Sequence, residues 1–107
     1  MSLSINRVNK QVSVNSNKCL VSILVAYYDN VDHIEEAIVS AVSQTYVNLE
    51  IIVVDDCSPS VEAQVLIKGL AEKYGFKLIR NDQNLGAAKS FQVGFNESSG
   101  KYISILS

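Results

Sequence analysis

Hydrophobic and polar positions alternate between two periods along this chain. Residues 19–26 are rich in Val, Ile and Leu and predict a first strand, and residues 49–54 form a second aliphatic run. Such unbroken runs suit strands buried on both faces, as in a parallel sheet. Between them, Ile34, Ala37, Ile38, Ala41 and Val42 recur at helical spacing, behind an Asp32-His33-Ile34-Glu35 capping-box pattern. Ser58-Pro59 offers a cap and a first-turn proline for a helix over 61–74, with Leu66, Ile67, Leu70 and Tyr74 on its apolar face and Gly75 at its end. Residues 76–79 predict a third short strand. Asn84-Leu85-Gly86 opens a third helix running to about Asn96, whose buried stripe is expected at Ala88, Phe91 or Gln92, and Phe95. Ser98-Ser99-Gly100 breaks the chain, and 102–106 is a fourth strand. The order βαβαβαβ predicts an α/β fold with a mostly parallel sheet and helices on both faces. Residues 1–18 are polar and lack a sustained period. They read as a tag remnant or flexible lead-in, with at most a short strand at 12–14, ahead of an ordered unit over 19–107.

Two acids, Asp55 and Asp56, directly follow Ile51-Ile52-Val53-Val54. In open α/β sheets, ligands bind at the carboxyl ends of the strands. The turn after the first strand, Ala26-Tyr27-Tyr28-Asp29-Asn30-Val31, holds no glycine, so a dinucleotide pyrophosphate cannot approach its backbone in the usual manner. An acid at this rim can still take a ribose hydroxyl or a base N–H, and Tyr28 can stack on a flat heterocycle. Together they suit a nucleoside with its phosphates held elsewhere. A phosphorylation receiver domain also carries paired acids, but there they follow the first strand, and here they follow the second. The plainer readings are that Asp55 and Asp56 cap the next helix, that Tyr28 is a rim residue, that Lys89 is solvated and that His33 is an exposed first-turn residue. Tyr27, Tyr46 and Tyr74 read as packing residues, and Cys57 as a small turn residue.

Composition narrows the classes. The 107 residues are enough for one domain. Charged residues make up 19% and the formal net charge is -2, which argues against nucleic acid, since phosphate neutralisation needs clustered Lys and Arg. No apolar stretch approaches the ~20 residues of a membrane span, and residues 1–11 do not read as a signal peptide. Cys19 and Cys57 lack metal or redox spacing and read as reduced thiols of a cytoplasmic protein, and a single histidine excludes a multi-histidine zinc site.

Several segments resemble glycosyltransferase family 2. Val21-Ser22-Ile23-Leu24-Val25-Ala26-Tyr27-Tyr28-Asp29-Asn30 is similar to its opening strand. Ser43-Gln44-Thr45-Tyr46 followed by Leu49-Glu50-Ile51-Ile52-Val53-Val54-Asp55-Asp56-Cys57-Ser58 is similar to its SQTY…EIIVVDDGS signature. Asn84-Leu85-Gly86 and Gly100-Lys101-Tyr102-Ile103 are similar to its NLG and GEYI elements. The resemblance covers residues 20–107 in register. It implies a Rossmann-like GT-A half-domain that binds a nucleotide-sugar donor, usually a uracil nucleotide. By the same resemblance Ala26, Tyr28 and Asp56 would contact the base, and Asp55 would support the turn. Gly86 reads first as a turn residue, with a phosphate contact secondary, since a helix N-terminus attracts anions, and Lys89 is the nearest cation that could face a diphosphate.

The chain also departs from that pattern. Ala26 stands where a threonine is usual, Cys57 where glycine is usual, and Ser90-Phe91-Gln92 where the family often has ARN. The Ala88-Lys89-Ser90-Phe91 version resembles a subgroup with rhamnosyltransferase-like members, which favours a deoxysugar donor. The family's metal-binding DxD follows its fourth strand, so Mn²⁺ or Mg²⁺ is expected in a full-length enzyme and not on residues 1–107, and this chain is expected to be inactive alone. The implied acceptor is a glycan or lipid-linked precursor, and the implied location is the cytoplasm or the inner face of the membrane. An open edge on the last strand would favour self-association. The alternative to an enzyme is a non-catalytic nucleotide-binding or protein-interaction module of the same fold. A nucleotidyltransferase would need a Gly-rich basic loop after the first strand, which is not present.

Overall fold

The computed structural model describes residues 2–6, 20–44 and 48–106, those of 2–6 as backbone. The elements run β1 (Ser2–Asn6), β2 (Val21–Tyr27), α1 (Ile34–Val42), β3 (Leu49–Asp55), α2 (Val61–Tyr74), β4 (Lys77–Arg80), α3 (Ala87–Glu97) and β5 (Tyr102–Leu106). One sheet has the order β1-β5-β2-β3-β4. β5, β2, β3 and β4 are mutually parallel, with Val21 opposite both Leu49 and Tyr102, and Asp55 opposite Arg80. These four strands and three helices match the expected order.

β1 is the difference. Residues 2–6, expected as part of a lead-in, pair antiparallel with β5 from Ser2↔Leu106 to Asn6↔Tyr102. The expected open edge on the last strand is therefore occupied. Ser2-Leu3-Ser4-Ile5 does alternate at the strand period, but over too few residues to stand out in the sequence. The suggested strand at 12–14 lies outside the described residues, as do Cys19 and Tyr46.

Alternation along the central strands splits the core into two layers. On one face Val21, Ile23, Val25 and Tyr27 pack with Val53 against Ile34, Ile38 and Ala41 of α1 and Ala63, Ile67 and Leu70 of α2. On the other, Leu24, Ile52, Val54 and Ile103 meet Phe91, Val93 and Phe95 of α3. Helices thus cover both faces.

Three local expectations are corrected. α1 begins at Ile34 with no side-chain cap. Instead of closing a capping box, the Glu35 carboxylate pairs with Lys73 Nζ at 2.9 Å and accepts from Tyr74 OH at 2.8 Å, tying α1 to α2. These contacts hold the Glu35 carboxyl below its ordinary value, chiefly through the Lys73 hydrogen bond. The α2 cap is Ser60, whose Oγ accepts from Ala63 N at 3.0 Å, while Ser58 is buried and its Oγ accepts from Asp29 N. On α3 the fully buried positions are Ser90 and Gly94, with Phe91 and Phe95 only half-buried and Ala88 and Gln92 exposed. A Cβ on Gly94 would lie 3.3 Å from Val54 Cγ2 and 3.4 Å from Leu24 Cδ2. Small residues therefore take the line of closest approach, and the rings flank it.

Candidate functional site

The carboxyl ends of β2, β3 and β4 form one rim, because register places Tyr27 beside Asp55 and Asp55 beside Arg80. Cross-strand bonds extend the pairing past the last strand residues: Asp56 N donates to Tyr27 O at 2.9 Å, and Asn81 N to Asp55 O at 2.8 Å. Successive strand residues point to opposite faces, so the adjacent acids Asp55 and Asp56 enter different layers.

Asp55 faces the α1/α2 layer and is 2% exposed. Its Oδ1 accepts from Ser58 N at 2.9 Å, and its Oδ2 from Arg80 Nη1 at 2.7 Å. Arg80 Nη2 reaches on to Ser58 O at 3.3 Å. This closes the β3–α2 turn around Cys57, which holds φ +64 without being glycine. Its thiol donates to Asp82 O at 3.6 Å. Asp29, with φ +51, joins the loop after β2 to the same turn by accepting from Ser60 N at 3.2 Å.

Asp56 faces the α3 layer and is 4% exposed. Oδ1 accepts from Asn81 Nδ2 at 2.9 Å and Leu85 N at 2.7 Å. Oδ2 accepts from Gly86 N at 2.8 Å and Asn84 Nδ2 at 3.0 Å. Burial alone would push this carboxyl up. The Leu85 N–H, the Asn81 amide, the Gly86 N–H and the Ser90 hydroxyl outweigh burial and hold it below its ordinary value. Asn81, Leu85, Gly86 and Asn84 alone fill the roughly four acceptor positions of a carboxylate. Asp56 is thus the anchor of the Asn84-Leu85-Gly86 loop that leads into α3, and neither rim acid is free to move a proton. A base N–H would reach Asp56 only by displacing one donor. The exposed Asn84 amide, which also spans 3.4 Å to Asp56 O, is the one that can swing away.

The structure brings Asp55, Asp56 and Gly86 together. Tyr28, 49% exposed, leaves the rim one residue after β2. Ala26 is half-buried and lines a cleft of about 430 Å³ on the α1 side, bounded by Val25, Tyr27, Asn30, His33 and Leu106 among others. Lys89 is exposed on the first turn of α3, with no partner among the described residues. Arg80, Asn81 and Ser90 join the site although no motif in the sequence marks them. Their signal was position: Arg80-Asn81 ends a parallel strand at the level of Asp55. Among the described residues, no group of three or more His, Cys, Asp or Glu could hold a metal ion, and no helix is long and apolar enough to cross a membrane.

Comparison with known proteins adds the family. Residues 22–107 match Glycosyl transferase family 2. An uncharacterized glycosyltransferase of Haemophilus influenzae is 40% identical over 83 residues, covering 78% of this chain and 26% of that protein. A cholesterol galactosyltransferase of Borreliella burgdorferi is 31% identical over 87 residues, covering 81% of this chain and 24% of that protein. The chain thus spans about a quarter of the length of these two relatives. Among solved structures, a mannosyltransferase from Pyrobaculum calidifontis in complex with GDP-Man and Mn2+ superposes with TM-score 0.67 at 24% identity, over 75% of this chain and 24% of that one. TarS of S. aureus, residues 1–349, superposes with TM-score 0.69 at 24% identity, over 80% and 26%. At that identity the likeness establishes the α/β architecture of GT-A glycosyltransferases and nothing finer. The strand-end rim, the loop anchored on Asp56 and the match from Ser22 onward converge on one assignment: the chain belongs to glycosyl transferase family 2.

Proposed function

We propose that this chain forms the donor-nucleotide-binding part of a glycosyltransferase that moves a sugar from a nucleotide-diphosphate sugar to an acceptor. The observation that carries this reading is the rim within the family match. There the carboxylate of Asp56 fixes the loop entering α3, and Tyr28, one residue past the end of β2, stands exposed. Tyr28 stacks on the base, Ala26 lies along its edge, and Asp56 Oδ2 accepts the base N–H once Asn84 moves aside. The start of α3 at Gly86, with Lys89, meets the diphosphate, since a helix N-terminus favours anions. Asp55 supports the turn through Ser58 and Arg80. The mannosyltransferase neighbour holds GDP-Man with Mn2+. The residues of this chain bind and orient the donor.

Calorimetry of the 107-residue chain with UDP, GDP, CDP and dTDP tests the reading. UDP is expected to bind best. Tyr28→Ala should lose stacking of about 1–3 kcal/mol, and Asp56→Asn a charge-assisted hydrogen bond of about 1.5–3 kcal/mol, roughly 10- to 100-fold in affinity. No binding by any of the four, or binding indifferent to Tyr28→Ala, overturns it.

A further inference from the structure

Asn81 stands where three elements meet. Its backbone N–H is fixed to Asp55 O at 2.8 Å. Its side-chain amide has two hydrogens, and both are used: Nδ2 donates to Asp56 Oδ1 at 2.9 Å and to Ser90 Oγ at 3.1 Å. Asn81 and Asp56 are buried and Ser90 is fully so. The Asp56 carboxylate is thereby pinned between the end of β4 and the first turns of α3. With Oδ1 held by Asn81, Oδ2 is the oxygen left towards the exposed Asn84.

We propose that Asn81 is the positioning residue of this rim: its amide, bridging Asp56 and Ser90, sets the rotation of the Asp56 carboxylate and with it the stance of the Asn84-Leu85-Gly86 loop against a nucleotide. The inference rests on the nucleotide-binding reading above for its functional half only. Leu85 and Gly86 donate from the loop that the carboxylate organises, whereas Asn81 donates from the end of β4, where its own N–H is fixed to Asp55 O, and the Ser90 hydroxyl that also reaches Asp56 is held by the same amide. A side chain of equal size without the amide hydrogens would leave Oδ1 and Ser90 short of a shared donor in a dry layer.

Asn81→Asp tests this, because it keeps the shape and exchanges the donor for an acceptor. At pH 8 two carboxylates face each other and repel. As pH falls the pair takes up one proton, whose O–H replaces the lost amide donor. The ionisable side chains on the surrounding elements are Tyr28, Asp55, Cys57, Arg80, Asp82 and Lys89, all common to the variant and the wild type. His33 lies on the α1 side of the sheet and is common to both proteins. The UDP phosphate also titrates near pH 6, so the quantity read is the ratio of variant to wild-type Kd. That ratio is expected to be about 10 or more at pH 8 and to fall to within about 3 at pH 5, the loss of one charge-assisted bond and its recovery. The amide NMR signals of Leu85 and Gly86, recorded without nucleotide, should follow the same transition in the variant and stay constant in wild type. Asn81→Leu should weaken UDP equally at both pH values, and Ser90→Ala, which keeps one of the two bonds, should shift both amide signals at every pH.

A Kd ratio independent of pH, or amide signals in Asn81→Asp that match wild type at pH 8, overturns the proposal. If Asn81→Asp unfolds at pH 8, it is expected to refold by pH 5, and remaining unfolded at pH 5 also overturns it. If wild type binds no UDP, the nucleotide reading fails alone, and the amide titration still decides whether Asn81 positions the loop.

Discussion

Gly100 closes the turn between α3 and β5 against the amino-terminal end of the sheet, opposite the rim. A Cβ placed there would stand 2.4 Å from Ser22 Oγ, 2.6 Å from Ser22 N and 2.9 Å from Tyr102 O. Two of those three atoms are backbone, so they cannot swing aside. The same turn carries a short hydrogen-bond chain. Gly100 N donates to Ser22 Oγ at 2.8 Å, Ser22 Oγ donates to Glu50 Oε1 at 2.5 Å, and Ser99 N donates to the same oxygen at 2.8 Å. Ser22 is fully buried. Gly100→Ala must therefore push the turn away and break at least the Gly100–Ser22 bond. Overpacking costs about 1–3 kcal/mol, and a lost hydrogen bond about 0.5–1.5 kcal/mol, which gives a destabilisation of about 3 kcal/mol. For a domain of this size that lowers the melting midpoint by roughly 12–24 °C. Gly69→Ala is the matched control, since nothing lies within 4 Å of its Cβ in the middle of α2. There the lost chain entropy of glycine should raise stability by about 0.5–1 kcal/mol. Urea unfolding followed by circular dichroism measures both, with the slope reporting any change in the unfolded state. A Gly100→Ala variant within about 0.5 kcal/mol of wild type, less than one hydrogen bond, would refute the close-approach argument.

Two further predictions concern single side chains. The Tyr27 hydroxyl donates to Ala63 O at 2.7 Å, and its pKa is pushed up to about 12 by burial and then by the charges of Asp55, Asp29 and Glu62. A folded value above the unfolded value near 10 means that this stability is full below pH 10 and is lost as pH rises from about 10 to about 12; Tyr27→Phe should remove that alkaline loss while costing about 1 kcal/mol at neutral pH, and parallel urea midpoints for the two proteins from pH 8 to 12 would count against it. Cys57 occupies the left-handed region at φ +64, so Cys57→Gly should gain about 1 kcal/mol by relieving the Cβ–carbonyl conflict, seen as a higher thermal midpoint; a lower midpoint would show that the thiol's contact with Asp82 O outweighs the strain.

The parts of the fold that were legible in the sequence share one property: their burial is decided locally. The aliphatic run of β3 needs no partner to identify it, and β5 falls on residues 102–106 because Gly100 and the aliphatic residues bound it. Elements whose side chains answer to distant partners were harder to read. Asp32 and Glu35 satisfy the capping pattern, but Glu35 is claimed by Lys73 and Tyr74, which lie far along the chain. Ser58 and Ser60 both suit a cap, and the choice falls to Ser60 because the Ser58 hydroxyl is engaged with Asp29 N. The α3 stripe was legible at Phe91 and Phe95 but not at Ser90 and Gly94, because a helix that lies close to a sheet buries its small residues, and hydrophobicity alone cannot announce that. At the site, the acid pair was visible and its partners were not. Asn81 is tied to Asp56 across 25 residues and to Ser90 across nine, separations at which a polar residue after a short strand looks like any turn.

The position of the two acids explains why they serve as frame more than as reagents. Residues 55 and 56 straddle the end of the central sheet, so one carboxylate enters each helical layer. Asp55 holds the turn into α2 through Ser58 and Arg80, and Asp56 holds the loop into α3 through Leu85 and Gly86. Each carboxylate is buried, and each is compensated by donors from the segments it organises, so removing either leaves several donors at the rim without their acceptor. A ligand that engages the Asp56 side is coupled to the start of α3, whereas the Asp55 side is closed by Arg80. On the proposed reading, discrimination among donors therefore falls to the exposed side chains that these acids hold in place: Tyr28 beside the base, Asn84 over Asp56, and Lys89 at the helix start. Exchanging Asn84 or Tyr28 should change which nucleotide binds while the rim persists. Exchanging Asp56 should weaken every nucleotide alike and loosen the start of α3.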